Sequence, residues 1–185
     1  MATSRNAVVL AVVLGAASAA GAAGCGVKDR TQASLTLVDS KITIAQPDGV
    51  THELVVFANG LVQWDGKPLV TISKTGVLRD GDRVLAKVDK YGAMAITGQP
   101  TNLAVRPDGT FVLDGEIELS IAREGQVLGP LIDSLDHPAV VLEGSTIRYL
   151  GPVAGRQVAM LGLVALVVPQ LAPALPPAPA PPTSL

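Results

Sequence analysis

Glycine recurs along this chain with a period that few folds can use. Asn59-Gly60, Thr75-Gly76, Tyr91-Gly92, Asp108-Gly109 and Glu124-Gly125 are separated by 16, 16, 17 and 16 residues. A second series, Asp65-Gly66, Asp80-Gly81, Thr97-Gly98 and Asp114-Gly115, runs between them at the same spacing. Glycine accepts a positive φ without a side-chain clash, and Asn or Asp tolerates it better than most residues, so these dipeptides predict tight turns. Between them the apolar residues alternate, as in Val84/Ala86/Val88, Leu103/Val105, Ile117/Leu119/Ile121 and, more briefly, Val70/Ile72. A period of two gives each strand one buried face. Each unit therefore reads as a β-hairpin of one short and one longer strand.

The same pattern extends weakly at both ends. Strands are expected around 35–38, 41–45 and 53–58, with a turn at Asp48-Gly49, and around 140–142 and 146–150, with a turn at Glu143-Gly144. Pro68, Pro100 and Pro107 fall at strand starts or ends, where a missing N–H does little harm. A single hairpin cannot bury its apolar face, so the units must pack together. The expected fold is all-β: repeated β-hairpins in a curved meander, sandwich or barrel, ten or more strands between residues 33 and 150, with one C-terminal helix.

That helix is expected over 153–168, VAGRQVAMLGLVALVV, because Ala, Leu, Met and Gln favour helix and Pro169 ends it. Its uninterrupted apolar part, 158–168, falls short of the roughly 20 residues that cross a bilayer. The preferred placement is a cap over an open end or face of the sheet, hiding an edge; contact with a membrane surface or a partner is the alternative. Residues 169–185, rich in Pro and Ala, are expected to form an extended tail.

The N-terminal stretch carries an address. Arg5 is its sole charge, and 7–24 follow as AVVLAVVLGAASAAGAAG, the layout of a signal peptide. Small residues then lead into a cysteine, Ala22-Ala23-Gly24-Cys25. This resembles the lipobox of bacterial lipoproteins, with Ala22 where that family usually has Leu. The resemblance implies cleavage before Cys25, diacylglycerol and palmitate on its sulfur, and a membrane held as partner through that lipid. Gly26 stands where Asp would favour inner-membrane retention in the lipoproteins of enteric bacteria, which implies the outer membrane over the inner. Two other readings stay open: an uncleaved anchor, and ordinary signal cleavage at Ala17-Ser18-Ala19 or Ala20-Gly21-Ala22. The organisation is then signal peptide 1–24, linker 25–32, β-repeat domain 33–152, helix 153–168 and tail 169–185.

Cys25 is the only cysteine, so no internal disulfide forms. Apart from Arg5, all of the 14 basic and 16 acidic side chains lie after it. Such a mildly acidic body without clustered Lys and Arg argues against nucleic acid as a partner. Aromatic residues are 3% of the chain, too few for the stacking platforms of sugar or single-stranded nucleic-acid sites; Trp64 reads as a core or edge residue.

Motifs with chemical content each have a plainer reading. His137 lies in Asp133-Ser134-Leu135-Asp136-His137, but catalytic triads are assembled from distant segments, and a polar loop before Pro138 explains the same residues. The other histidine, His52, is 85 positions away. Lys74-Thr75-Gly76 matches a motif of penicillin-binding proteins, yet no Ser-x-x-Lys accompanies it after Cys25 and it sits in register with the repeat turns. Asp80, Asp82, Asp108 and Asp114 could suggest calcium, but neither an EF-hand loop nor the glycine-rich calcium-roll repeat is present. Asp114 and Glu116 share a strand face without fixing an acid–base geometry. No catalytic, cofactor-binding or metal residue is assigned, and no cofactor is implied.

The hairpin repeat over 49–150 resembles those of uncharacterised bacterial envelope lipoproteins with Asp-Gly turns. The expected function is a membrane-anchored envelope lipoprotein, not an enzyme, with a structural or partner-binding role and an envelope protein as possible partner. The alternative is a barrel that binds an apolar small molecule or lipid.

Overall fold

The computed structural model describes residues 32–130 and 144–168. Twelve antiparallel strands form one sheet: β1 (Ser40–Ala45), β2 (Thr51–Val56), β3 (Leu61–Trp64), β4 (Lys67–Ile72), β5 (Val77–Asp80), β6 (Arg83–Val88), β7 (Ala93–Ile96), β8 (Gln99–Val105), β9 (Phe111–Leu113), β10 (Glu116–Ile121), β11 (Val127–Leu128) and β12 (Thr146–Leu150). Each pairs with its neighbour in sequence, and β12 returns to pair with β1, so the order is β11 back to β1 and then β12. The remaining seam is joined where Arg148 of β12 bridges Gln126 and the Tyr149 N–H donates to the Gly125 carbonyl at 2.6 Å. The meander is thus a nearly closed barrel.

The two glycine series separate onto the two ends of this barrel. One rim carries the turns at Gly60, Gly76, Gly92, Gly109 and Gly125. At each, two backbone hydrogen bonds define a three-residue loop, as where Gly60 N–H donates to Phe57 O and Phe57 N–H to Leu61 O. This is a type I turn followed by a left-handed glycine. The opposite rim carries two-residue turns, together with one three-residue turn at Gly49 between β1 and β2. Asp65-Gly66, Thr97-Gly98 and Asp114-Gly115 have positive φ at both residues, as type I′ requires. The remaining turn of this series is shifted from the sequence expectation: Asp80 stays in β5, and Gly81-Asp82 form the bend with only the glycine at positive φ.

Curvature is built into every repeat. The β3–β4, β5–β6, β7–β8 and β9–β10 pairs each contain a register shift. An extra residue on one strand bends it and sharpens its twist. In β4 the shift turns consecutive residues Leu69 and Val70 inward, and in β6 Leu85 and Ala86, so that all four are buried.

Residues 33–39 are not the strand expected around 35–38. They run as an extended strap across the rim of three-residue turns, which we term the strap rim; the other is the hairpin rim. Gln32 bridges Asp89, Leu35 N–H donates to Lys74 O, and Asp39 Oδ1 accepts the Ala58 N–H. Ala33 and Leu35 are buried against the turns below while Ser34 and Thr36 face out. The strap spans several hairpins and pairs fully with none, so its alternation reflects contact with a rim. The strand expected at 140–142 lies outside the described residues.

The C-terminal helix corrects the expected placement. After a 3₁₀ turn (Val153–Gly155), α1 (Arg156–Val167) does not cover an edge; it runs inside the barrel. Every residue from Val158 to Val167 is buried, on all faces, and α1 touches β1, β2, β4 and β8, strands from different sides of the barrel. A helix apolar all round needs apolar neighbours all round, and an edge offers them on one face only. The dimensions agree. Twelve strands about 4.8 Å apart close at a radius of about 9 Å, or about 12 Å when tilted near 40°. A helix with its side chains has a radius of about 5–6 Å, which leaves room for one layer of strand side chains. Six-residue strands and a 12-residue helix both span about 20 Å.

Gly162 marks the closest approach. A Cβ there would lie 3.0 Å from Leu54 and 3.1 Å from Val62. Val158, Met160, Leu161, Leu163, Val164, Leu166 and Val167 are almost fully buried. At about 2 kcal/mol each this is on the order of 14 kcal/mol of gross hydrophobic stabilisation. Arg156, at the first turn, anchors the entry by donating to the carbonyls of Ile121, Ala122 and Arg123, and Gln157 donates to Val105 O at 2.9 Å. Val168 is extended, as the residue before a proline tends to be.

Candidate functional site

Cys25, the residue with the most specific sequence signal, lies outside the described residues, as do Asp133, Ser134, Asp136 and His137 and the tail 169–185. The structure does place the remaining motif residues, and it disperses them around the two rims.

Lys74-Thr75-Gly76 is a strap-rim turn. Ser73 Oγ accepts the Val77 N–H at 3.0 Å and contacts Thr75 Oγ1 at 2.9 Å, and the Lys74 carbonyl holds the strap. The aspartates serve turns as well. Asp108 Oδ1 accepts the Thr110 N–H at 3.0 Å on the strap rim, and Asp114 accepts from Asn102 on the hairpin rim. Asp80 and Asp82 flank Gly81 on the hairpin rim. Among the described residues no three His, Cys, Asp or Glu side chains converge in a metal-binding group. Asp114 sits in its turn and Glu116 begins β10. Burial, and then the charge of Glu116, push the Glu118 carboxyl above its ordinary pKa.

The sequence did not single out the most ordered polar cluster, on the hairpin rim. His52 of β2 lies over Trp64 of β3 with ring centroids 5.0 Å apart and planes within 21°. Its Nδ1 is 2.7 Å from Asp65 Oδ2, while Asp65 Oδ1 accepts the Glu53 N–H at 2.9 Å. The pairing Leu54↔Trp64, set by the turn at Gly60, brings these residues together. Chemically this is an imidazole oriented by a carboxylate. Its other contacts are structural: Asp65 ties the type I′ turn back to β2, and His52 covers the indole.

The strap rim presents a different surface. Lys74, Lys90, Arg106 and Arg123 are exposed on four successive turns. Beside them stand Tyr91, 68% exposed with Lys90 Nζ 4.7 Å from its ring centre, and Val153, 69% exposed. The acidic side chains of this rim are largely turned into backbone: Asp39 accepts from Ala58, Asp89 from Tyr91 and Ala93, Asp108 from Thr110. Between strap and helix entry lies a recess of about 260 Å³ lined by residues 33–36, Lys90, Pro107 and Gln157 among others. Tyr149 lies near the same entry. Its hydroxyl donates to Pro152 O at 2.6 Å, and burial raises its pKa against the pull of Arg156.

The barrel wall is polar outside and apolar inside: Lys41, Glu53, Gln63, Thr71 and Lys87 alternate with buried residues. A bilayer-spanning barrel has the opposite polarity. Among the described residues no helix is long and apolar enough to cross a membrane. No protein-family model matches this chain, and no solved structure matches it.

Proposed function

We propose that this protein is a membrane-anchored lipoprotein of the bacterial envelope, held by lipid on Cys25, whose barrel has a non-catalytic structural or partner-binding role. The observation that carries the reading is the sequence Ala22-Ala23-Gly24-Cys25 after an uncharged apolar stretch. Small side chains admit the backbone to a peptidase, and the thiol is the nucleophile for acylation. Two or three acyl chains, at roughly 0.8 kcal/mol per buried methylene, hold a protein stably at a bilayer. Gly26 favours the outer membrane.

The scaffold role is supported by α1. A carrier of apolar molecules uses its barrel interior as the binding site, and here the axis is taken by the chain's own helix. The placed motif residues serve turns, which also favours a structural reading.

Labelled palmitate tests the anchor. Wild-type protein expressed in a bacterial host should incorporate it and fractionate with membranes, and Cys25→Ser should do neither. Labelling that persists in the variant contradicts the reading.

A further inference from the structure

Resting on the lipid-anchor reading, we propose that the strap rim faces the membrane: its cationic turns, with Tyr91 and Val153, dock on an anionic phospholipid surface and hold the barrel upright on its anchor.

Three independent features point the same way. The first is the tether. Gln32 is fixed to Asp89 on the strap rim and stands seven positions after Cys25, with six residues between them. Fully extended, that stretch reaches about 25 Å. The barrel wall is about 20 Å tall. With the hairpin rim against the bilayer, nearly all of that reach would be spent running down the wall; with the strap rim down, the tether is slack.

The second is charge. Lys74, Lys90, Arg106 and Arg123 project from the strap rim and balance its four carboxylates, Asp39, Asp89, Asp108 and Glu124, so that this rim is close to neutral. The hairpin rim instead carries Asp48, Asp65, Asp80, Asp82, Asp114 and Glu116 against Lys67, Arg79 and Arg83. An anionic surface repels the second rim and not the first, whose exposed cations stand free to meet its headgroups. The third is apolar exposure. Tyr91 and Val153 are the two most exposed of the large hydrophobic residues, and both stand on the strap rim. An exposed tyrosine among lysines suits the headgroup layer, where its ring is buried and its hydroxyl stays wet.

The single tryptophan, Trp64, lies on the far rim and provides an internal control. The lipidated wild type and its Tyr91→Trp variant are reconstituted on vesicles of phosphatidylcholine and phosphatidylglycerol in which the acyl chains are brominated near the headgroup. Wild-type emission should fall by less than about a tenth, while the variant, with a second indole at the interface, should lose about a third or more. A mutation-free measurement accompanies it: on vesicles, acetylation of Lys74 and Lys90 should slow several-fold relative to detergent, while that of Lys67 does not change. Failure of the protein to sediment with vesicles would defeat the anchor itself. Sedimentation with equal quenching of both proteins, or with Lys67 the protected lysine, would leave the anchor standing and overturn the orientation.

Discussion

Gly92 and Gly98 lie six residues apart in neighbouring turns, at equivalent points of two series with the same period, and both hold a left-handed backbone, at φ 92° and 84°. Their surroundings differ. A Cβ on Gly92 would overlap the Val105 carbonyl, whose own N–H donates to Gly92 O at 2.8 Å; a Cβ on Gly98 would meet nothing within 4 Å. The contrast holds around the barrel. On the strap rim Gly60 and Gly76 are likewise pressed against the last residue of the following long strand, and Gly125 against Tyr149 of β12, whereas Gly66, Gly81 and Gly115 on the hairpin rim stand open. One rim is a packed interface between repeats, with a strap and a helix entry laid over it. The other is a set of independent bends that need glycine only for conformation.

The strongest way to break this comparison is to remove what the strap rim closes over. A chain ending at Gly151 lacks α1 and opens an apolar interior. The lost burial, on the order of 14 kcal/mol, matches or exceeds the whole stability of an ordinary domain. Its circular dichroism should show no cooperative thermal transition; a barrel that still melts cooperatively would mean α1 is not its core.

Next in size is the glycine pair. Gly92→Ala should cost about 3–4 kcal/mol, combining left-handed strain, a displaced carbonyl and a weakened hydrogen bond. Gly98→Ala should cost about 1 kcal/mol from strain alone. Denaturant midpoints of the two variants decide it, and equal losses would erase the distinction between the rims.

The smallest effect concerns Glu118, which holds in β10 the register-shift position that Leu69 and Leu85 hold in β4 and β6, but is only partly buried there. Its folded pKa is raised, so below its ordinary pKa it costs nothing, and stability falls as pH climbs from that value through the folded pKa. Glu118→Leu should therefore stabilise by no more than a few tenths of a kcal/mol at neutral pH and by less in acid. A gain independent of pH would place the benefit in packing alone.

Much of this architecture was legible because turn chemistry is local. The glycine series located nearly every turn, and the alternation between them located the strands. What escaped was non-local. The short strands of one repeat close equally well into a meander, sandwich or barrel until the pairing of β12 with β1 is known. The destination of α1 was missed although its sequence held the clue: residues 158–168 are apolar on every face, which an edge cap does not need. Gly81-Asp82 were misregistered by one residue because glycine takes the first place in that bend, not the second. At the site level, Cys25 was readable because a lipobox is a contiguous string. The His52–Trp64–Asp65 cluster was not, since it depends on the β2–β3 register; counting outward from the turn at Gly60 brings residue 54 opposite 64 and would have revealed it.

Native-state hydrogen exchange along α1 tests the central claim most directly. If the barrel is built around this helix, the amides from Met160 to Val167 exchange only through global unfolding, with the same free energy as the slowest amides of β2 and β4. Exchange several kcal/mol easier than those strands, through an opening in which the helix leaves while the barrel stays intact, would contradict it.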